Sequence, residues 1–437
     1  MASDMGNAGQ SGIIWTYFHW GPTAWAMYCV VAICLAYSHH NLGKTLTFRE
    51  ATVDILPAAV RRPAGVVIEP LAIIATVLGL ATSFGFAAMQ FSSGLNAFTG
   101  VTSGPLVWMI VIVVLGTLTA ISAFMGVNKG MKRISELNSV LSIVLVVGVF
   151  VFGPTIFILS NMFQTFGGFF ASFPAMSFWT EAEAAGAGAP WDELWNGPWT
   201  VFIWCWVIAF SPFVAGFIAR ISRGRTLREF VLGVTIVPSL IVMVWTAVIA
   251  SAGIRYDDQN GLVISEAVNE DLSVALFRML EMVPGIGILL IIMATVLVAT
   301  YYVTSLDSGT YALAEFVSAP KKSGPAFRVV LVISIATVAA VLAVPRRRGR
   351  GGHRPDRHDH RRLPVLLRDH PDDREPDPAT ARPQRRSRAD RARDQRPRAP
   401  PRGRVRRRGR DPRPQARRRR GHLRAPADVP PARRPKG

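Results

Sequence analysis

Aromatic side chains recur at helical spacing in the apolar segment 199–219. Intervals of four, four, three and four residues place five rings along one helix face: Phe202, Trp206, Phe210, Phe213 and Phe217. A second aromatic set lies in the segment 14–37 and contains Trp20, Trp25 and Tyr28. If the two sets face each other, their ring faces attract a cation that cannot donate hydrogen bonds, such as a quaternary ammonium.

The spacing alone also fits a simpler interpretation of these rings. Aromatic side chains in membrane helices commonly face lipid or pack between helices, and Trp20 and Trp199 are placed to act as anchors at the membrane interface. A binding cavity therefore requires evidence that the rings converge.

Adjacent hydroxyl groups mark the end of the apolar segment 283–306, where Thr304 and Ser305 begin the run TSLDSGT (304–310). Sodium is a hard cation that prefers oxygen ligands, and hydroxyls in a membrane helix supply them together with carbonyls from a broken helix. The alternative is that these hydroxyls only donate back to the preceding helical turn.

The segments that carry these residues belong to a series of long apolar runs. Each long run suffices, at 1.5 Å per residue, to cross a hydrocarbon layer of about 30 Å as a helix. The sequence predicts an all-α polytopic membrane protein with about eight transmembrane helices, at 14–37, 71–96, 106–127, 137–160, 199–219, 231–254, 283–306 and, slightly short, 329–344.

Loops between these segments alternate in charge, and positive-inside bias places the basic ones in the cytoplasm. The basic loops contain Lys44, Arg49, Arg61 and Arg62; Lys129, Lys132 and Arg133; Arg220, Arg223, Arg225 and Arg228; and Lys321, Lys322 and Arg328. The other loops are uncharged at 97–105, acidic around 181–193 and mainly acidic around 255–281. The loop 219–230 could anchor its helix ends or act in gating, and the sequence leaves both open.

The net charge of +20 comes from one end of the chain. Residues 345–437 hold 33 Lys or Arg and 11 Asp or Glu, whereas residues 1–344 hold 16 and 18. The C-terminal part is rich in Arg and Pro and lacks Ile, Phe, Met, Trp and Tyr, so it cannot bury a core. We predict a transmembrane body, 1–344, and a disordered tail, 345–437, which is either a basic arm for RNA or anionic lipid or, as we favour, out-of-frame translation without a nucleic-acid partner.

Other classes of chemistry find little support in the chain. Cys29, Cys34 and Cys205 all lie in apolar runs, which favours neither a disulfide framework nor a zinc site. The chain has no phosphate-binding loop, HExxH or nucleophile elbow, so we expect a transporter and not an enzyme.

Several motifs resemble the betaine/carnitine/choline transporter family, over nearly all of residues 15–344. The most specific is WCWVIAFSPFVAGFIARISRGRTLREF (204–230). Supporting motifs are FHWGPTAWAMY (18–28), LAIIATVLGLATSFGFAAMQ (71–90), NKGMKRISELN (128–138), GPT (153–155) and YYVTSLDSGT (301–310).

This resemblance implies a partial inverted-repeat, LeuT-like fold in which the segments are similar to helices four to eleven of about twelve. It implies a sodium-coupled symporter of betaine-like osmolytes, in a bacterial inner membrane, with a homotrimer as the family's usual assembly. By motif, Trp20, Trp25, Tyr28 and Trp206 match substrate-binding aromatic positions, and we add Phe210 from the ring stripe. Sodium-ligand positions are matched by Thr304 and Ser305, and those of a second sodium site by Thr76 and Phe213.

The sequence also departs from the family pattern. Val207 and Phe210 stand where betaine carriers usually have tryptophans, and Leu80 replaces a hydroxyl residue. The family's glycine-rich unwound helix before helix four has no counterpart here. We therefore also consider a non-functional membrane fragment, or a membrane protein with a basic nucleic-acid- or lipid-binding tail.

Overall fold

The computed structural model describes residues 2–125, 128–186, 188, 190, 194–318 and 323–343. The predicted tail, 345–437, lies outside these residues, as do Asp192, Glu193, Lys321 and Lys322 of the predicted loops. The described residues form fourteen α-helices and no β-strand: α1 (Ala2–Trp20), α2 (Pro22–Ala36), α3 (Phe48–Thr52), α4 (Ala58–Thr99), α5 (Pro105–Met125), α6 (Asn128–Phe152), α7 (Thr155–Phe178), α8 (Ala182–Gly186), α9 (Phe202–Ile221), α10 (Leu227–Gln259), α11 (Val263–Glu270), α12 (Ala275–Glu281), α13 (Gly287–Ser318) and α14 (Pro325–Ala343).

Nine helical spans in the described part of the chain are long and apolar enough to cross a membrane. This confirms the predicted all-α polytopic class, with one span more than the eight predicted segments. The additional span is α7, because the predicted segment 137–160 is interrupted between Phe152 and Thr155. Gly153 and Pro154 occupy the break, where proline disfavours a helical residue before it and lacks an N–H group.

Helix α4 is also longer than its predicted segment, 71–96. It has 42 residues and contains Pro63 and Pro70. Its first turns carry Arg61, which donates to the carbonyls of Leu56 and Asp54. Lys44 donates a hydrogen bond to Asp54 and holds the pKa of that carboxyl below its usual range. The loop before α4 is therefore polar and internally bonded, as expected of a segment in water.

The alternation of loop charge has a consequence for α7. If α7 crossed the membrane, the basic loops after α9 and after α13 would lie on the side opposite the two basic loops that precede α7. Positive-inside bias instead places both ends of α7 on the outer side. Buried hydrogen bonds fix α7 against its neighbours: Asn161 donates to Ser251 of α10 at 2.8 Å, and Thr165 bonds the Tyr17 hydroxyl of α1 at 3.2 Å.

Glycines allow close helix contacts around α4. Gly79 lies against Ala209 and Phe210 of α9, and Gly94 lies against Thr295 of α13. On α13, Gly309 in turn leaves room for the side chain of Leu80 of α4. Small residues bring membrane helices together because packing, and not exclusion from water, drives their association in lipid. As a result α4 packs along both α9 and α13.

One end of α9 is fixed to α13 by polar and aromatic contacts. Arg220 forms an ion pair with Glu315, and its guanidinium lies 5.7 Å from the centre of the Tyr311 ring. Arg328 of α14 lies over the same ring at 5.4 Å. After this end, Thr226 and Glu229 form a capping box that starts α10. The loop 219–230 thus anchors helix ends, and its role in gating stays open.

The packing at Gly94 predicts a destabilising effect for Gly94→Ala. An ideal Cβ at this position would lie 2.3 Å from Thr295 Oγ1 and 2.6 Å from Phe277 Cζ, so the helices must move apart. We expect a loss of about 1–3 kcal/mol, measured as a lower melting temperature of the purified chain in detergent.

The matched control is Gly233→Ala, at an exposed position of α10 where a Cβ meets nothing within 4 Å. It should leave the melting temperature unchanged or raise it slightly, because alanine favours helix more than glycine. Equal melting temperatures for the two variants would contradict the close α4–α13 packing.

Candidate functional site

A cavity of about 610 Å³ lies where α2, α4, α9 and α13 meet. Its lining contains no charged side chain among the described residues. The walls are mainly aromatic and aliphatic, and all five predicted substrate-binding residues belong to them: Trp20, Trp25, Tyr28, Trp206 and Phe210. The two aromatic sets therefore converge, as the binding interpretation of the sequence requires.

The first wall depends on a break in the predicted segment 14–37. Helix α1 ends at Trp20 and α2 begins at Pro22, with Gly21 between them. A Cβ on Gly21 would lie 2.4 Å from the Tyr17 carbonyl oxygen, so a side chain does not fit there. Trp20 reaches the cavity from the end of α1, while Trp25 and Tyr28 follow on α2 with ring centres 5.6 Å apart.

Trp206 joins three walls of the cavity. Its ring centre lies 5.2 Å from that of Trp20, with the ring planes nearly perpendicular, and 5.7 Å from that of Phe86. Its indole N–H donates to the Ser83 hydroxyl at 3.0 Å. The bond holds the ring in one orientation and satisfies a polar group that would be costly in an apolar environment.

Only part of the five-ring stripe on α9 lines the cavity. Phe210 belongs to the lining, and Phe213 packs on Phe210 with ring centres 5.7 Å apart. Phe202 and Phe217 are 41% and 54% exposed, so they face outward at the two ends of the helix. Three rings of the stripe, Phe202, Phe213 and Phe217, therefore lie outside the cavity lining, and Trp206 and Phe210 belong to it.

Of the two hydroxyls predicted as sodium ligands on α13, only Ser305 lines the cavity. Its hydroxyl has no hydrogen-bond partner in the part of the chain that the structure describes. Thr304 is buried and donates to the Thr300 carbonyl at 2.9 Å, which is the back-bonding expected as the alternative. A hydroxyl that donates its proton in this way still has lone pairs to offer a cation.

The predicted second sodium site has an apolar environment. Thr76 is buried, donates to the Ala72 carbonyl at 2.8 Å and, like Phe213, is not part of the cavity lining. One turn away, Leu80 is fully buried against Gly309. Thr76 therefore offers one hydroxyl oxygen, and Leu80, which stands where the family has a hydroxyl residue, offers none.

The parts of the cavity wall formed by α4 and α13 contain residues that sequence reasoning missed. Ser83, Phe86, Ala87 and Gln90 of α4 line the cavity, and Val298, Tyr301 and Tyr302 join them from α13. The spacing on α4 is that of one helix face. Two polar residues seven apart in an apolar run, Ser83 and Gln90, were the signal that could have identified this face.

Comparison with known proteins agrees with this architecture. A family model described as betaine/carnitine/choline family transporter matches residues 1–348. A glycine betaine transporter of Acinetobacter baylyi is 34% identical over 77% of this chain and 50% of its own length. A glycine betaine/proline/choline transporter of Vibrio parahaemolyticus is 35% identical over 74% and 56%, and an ectoine/hydroxyectoine transporter of Virgibacillus pantothenticus is 34% identical over 70% and 59%.

The chain thus spans about half to three fifths of the length of these curated relatives. The match nevertheless covers the whole helical body, including the cavity and the helices that form it. The family is one of transporters and not of enzymes, in agreement with the sequence-based expectation. The chain belongs to the betaine/carnitine/choline family of transporters.

Proposed function

We propose that this chain binds a compatible solute with a quaternary ammonium group in the aromatic cavity, as part of a sodium-coupled secondary transporter. The observation that carries the proposal is the convergence of Trp20, Trp25, Tyr28 and Trp206 on one cavity. Relatives named for transport of glycine betaine, choline or ectoine support this class of substrate.

The chemistry of the lining favours a quaternary ammonium over a primary amine. A primary ammonium carries three N–H donors and requires acceptors, whereas the described lining offers no carboxylate. A trimethylammonium group has no donor to satisfy and is attracted by ring faces, at about 0.5–2 kcal/mol for each contact. The ring faces can therefore bind this cation although the described lining holds no carboxylate to pair with it.

Sodium is the proposed coupling ion, with Ser305 and Thr304 as hydroxyl ligands. Ser305 faces the cavity, and Thr304 lies beside it on the same helix. An ion at this position would be near the substrate and would favour its binding. Thr76 and Phe213 remain the proposed second sodium site, at which Thr76 would offer its hydroxyl oxygen.

Transport also requires the cavity to open to each side in turn. We assign the α9–α13 contact, where Gly216 lies against Phe316 and Arg220 pairs with Glu315, to the cytoplasmic closure. Rocking of one helix bundle against the other would separate these residues. We place the protein in a bacterial inner membrane, and a homotrimer stays an expectation from the family.

The aromatic cavity predicts that Trp206→Leu weakens binding of glycine betaine by about 2- to 30-fold, the range expected for one lost cation–π contact. Binding is measured on the purified 437-residue chain by quenching of its tryptophan fluorescence. Phe217→Leu, an exposed position on the same helix, is the control and should bind as the unchanged chain does.

The competing ligand in this assay is tert-butylacetate, which has the shape of glycine betaine without the positive charge. It should compete at least 10-fold more weakly. Equal competition would refute recognition of the cation by ring faces. Binding without uptake in proteoliposomes would instead identify the chain as a fragment that binds substrate but does not transport it.

Sodium coupling predicts a selective effect of Ser305→Ala. The sodium concentration for half-maximal binding of glycine betaine should rise about 10-fold or more, because a hydroxyl ligand to a charge is lost. Ser308→Ala, at an exposed position of the same helix, is the control. Sodium-independent binding by the unchanged chain would rule out coupling through this site.

A further inference from the structure

Three polar side chains of the cavity wall, those of Ser83, Trp206 and Tyr301, have hydrogen-bond partners within the described residues, whereas the buried Tyr302 hydroxyl has none. The Ser83 hydroxyl accepts from Trp206 and donates to the Gly79 carbonyl at 3.1 Å. The Tyr301 hydroxyl bonds that of Ser142 at 2.8 Å. Among the described residues of the lining, Gln90 is the polar side chain with two N–H donors and no hydrogen-bond partner.

The position of Gln90 follows from helix contacts on both sides of it. After Gln90, Gly94 of α4 lies against Thr295 of α13. Before Gln90, Phe84 of α4 contacts Tyr302 of α13 with ring centres 4.8 Å apart. The two helices are therefore antiparallel, and Gln90 lies at the level of Val298. Ser305, the proposed sodium ligand, lies at the level of Ser83. Ser83 is seven residues before Gln90 on α4, so the two levels are about 10 Å apart along the helix axis.

Gln90 is also close to the aromatic cluster. It lies one helical turn, about 5.4 Å, beyond Phe86 on the same face of α4. Phe86 contacts Trp206, which contacts Trp20. A small zwitterion with its ammonium among these rings therefore brings its anionic end within reach of the Gln90 amide.

We propose that Gln90 binds the carboxylate of a zwitterionic solute whose ammonium group lies among Trp20, Trp206 and Phe86. This assignment rests on the proposed function and adds the determinant that distinguishes a betaine from a cation without a carboxylate. A primary amide at membrane depth is costly without a partner, and the ligand carboxylate supplies two acceptor oxygens.

A neutral donor suits this role better than a lysine or arginine would. The carboxylate and the ammonium of the ligand balance each other, so a cation in the wall would leave the occupied cavity with a net charge. The amide stabilises the anionic end through hydrogen bonds and leaves the total charge of ligand and lining at zero. The absence of charged side chains from the described lining agrees with this scheme.

The test compares glycine betaine with choline, which shares the trimethylammonium group but has a hydroxyl in place of the carboxylate. Gln90→Leu should weaken glycine betaine binding about 10-fold and change choline binding less than about 3-fold. Gln90→Glu should weaken glycine betaine binding further, because like charges repel, and should leave choline bound or bind it more tightly.

Gln164→Glu is the matched control, since Gln164 is exposed on α7 and outside the cavity. It should change neither affinity, and circular dichroism checks that each variant remains helical. Equal shifts for both ligands, or no shift for either, would overturn the role of Gln90 while the proposed function stands. Failure of the unchanged chain to bind either ligand would overturn both.

Discussion

The membrane as solvent is the constraint on which the rest of the structure depends. In hydrocarbon every backbone N–H and C=O must be bonded within the protein, so the chain forms helices wherever it crosses. Backbone bonding then leaves the side chains to decide which helix faces turn inward. In this chain, ring faces, hydroxyls and one amide of α2, α4, α9 and α13 turn toward a shared cavity. The proposed binding of a solute requires that lipid be excluded from that cavity.

The sequence indicated residues of the cavity lining, but it did not indicate the shape of the cavity. Trp20, Trp25, Tyr28, Trp206 and Phe210 all line the cavity. The first four follow from the family resemblance, and Phe210 from the spacing of rings on α9. Spacing around a helix does not say where along that helix its neighbour begins and ends. For this reason the stripe prediction included Phe202 and Phe217, which lie beyond the ends of the cavity. The break at Gly153–Pro154 was missed because it falls within an uncharged run.

Small residues and hydroxyls explain why the walls of the cavity hold their positions. Gly79 brings α4 against α9, and the Ser83 hydroxyl then lies within reach of the Trp206 indole. The α4 wall could not be derived from α9 alone, since it requires knowing that these two helices pack together. Back-bonding was foreseen as an alternative for Thr304, and the structure shows it for Thr76 as well. It satisfies each hydroxyl locally and leaves Ser305 as the hydroxyl of this group that faces the cavity.

The central claim is that these helices cross a membrane with the basic loops on the cytoplasmic side, which can be measured by cysteine labelling in intact cells. Cys29, Cys34 and Cys205 are first replaced by alanine, and single cysteines are introduced as Gly104→Cys, Thr180→Cys and Arg223→Cys. A membrane-impermeant maleimide should label the first two from outside, one in the loop between α4 and α5 and one just after α7, and should reach the third only after the cells are opened. Labelling of the cysteine at position 223 in intact cells would contradict the orientation and the transporter account built on it.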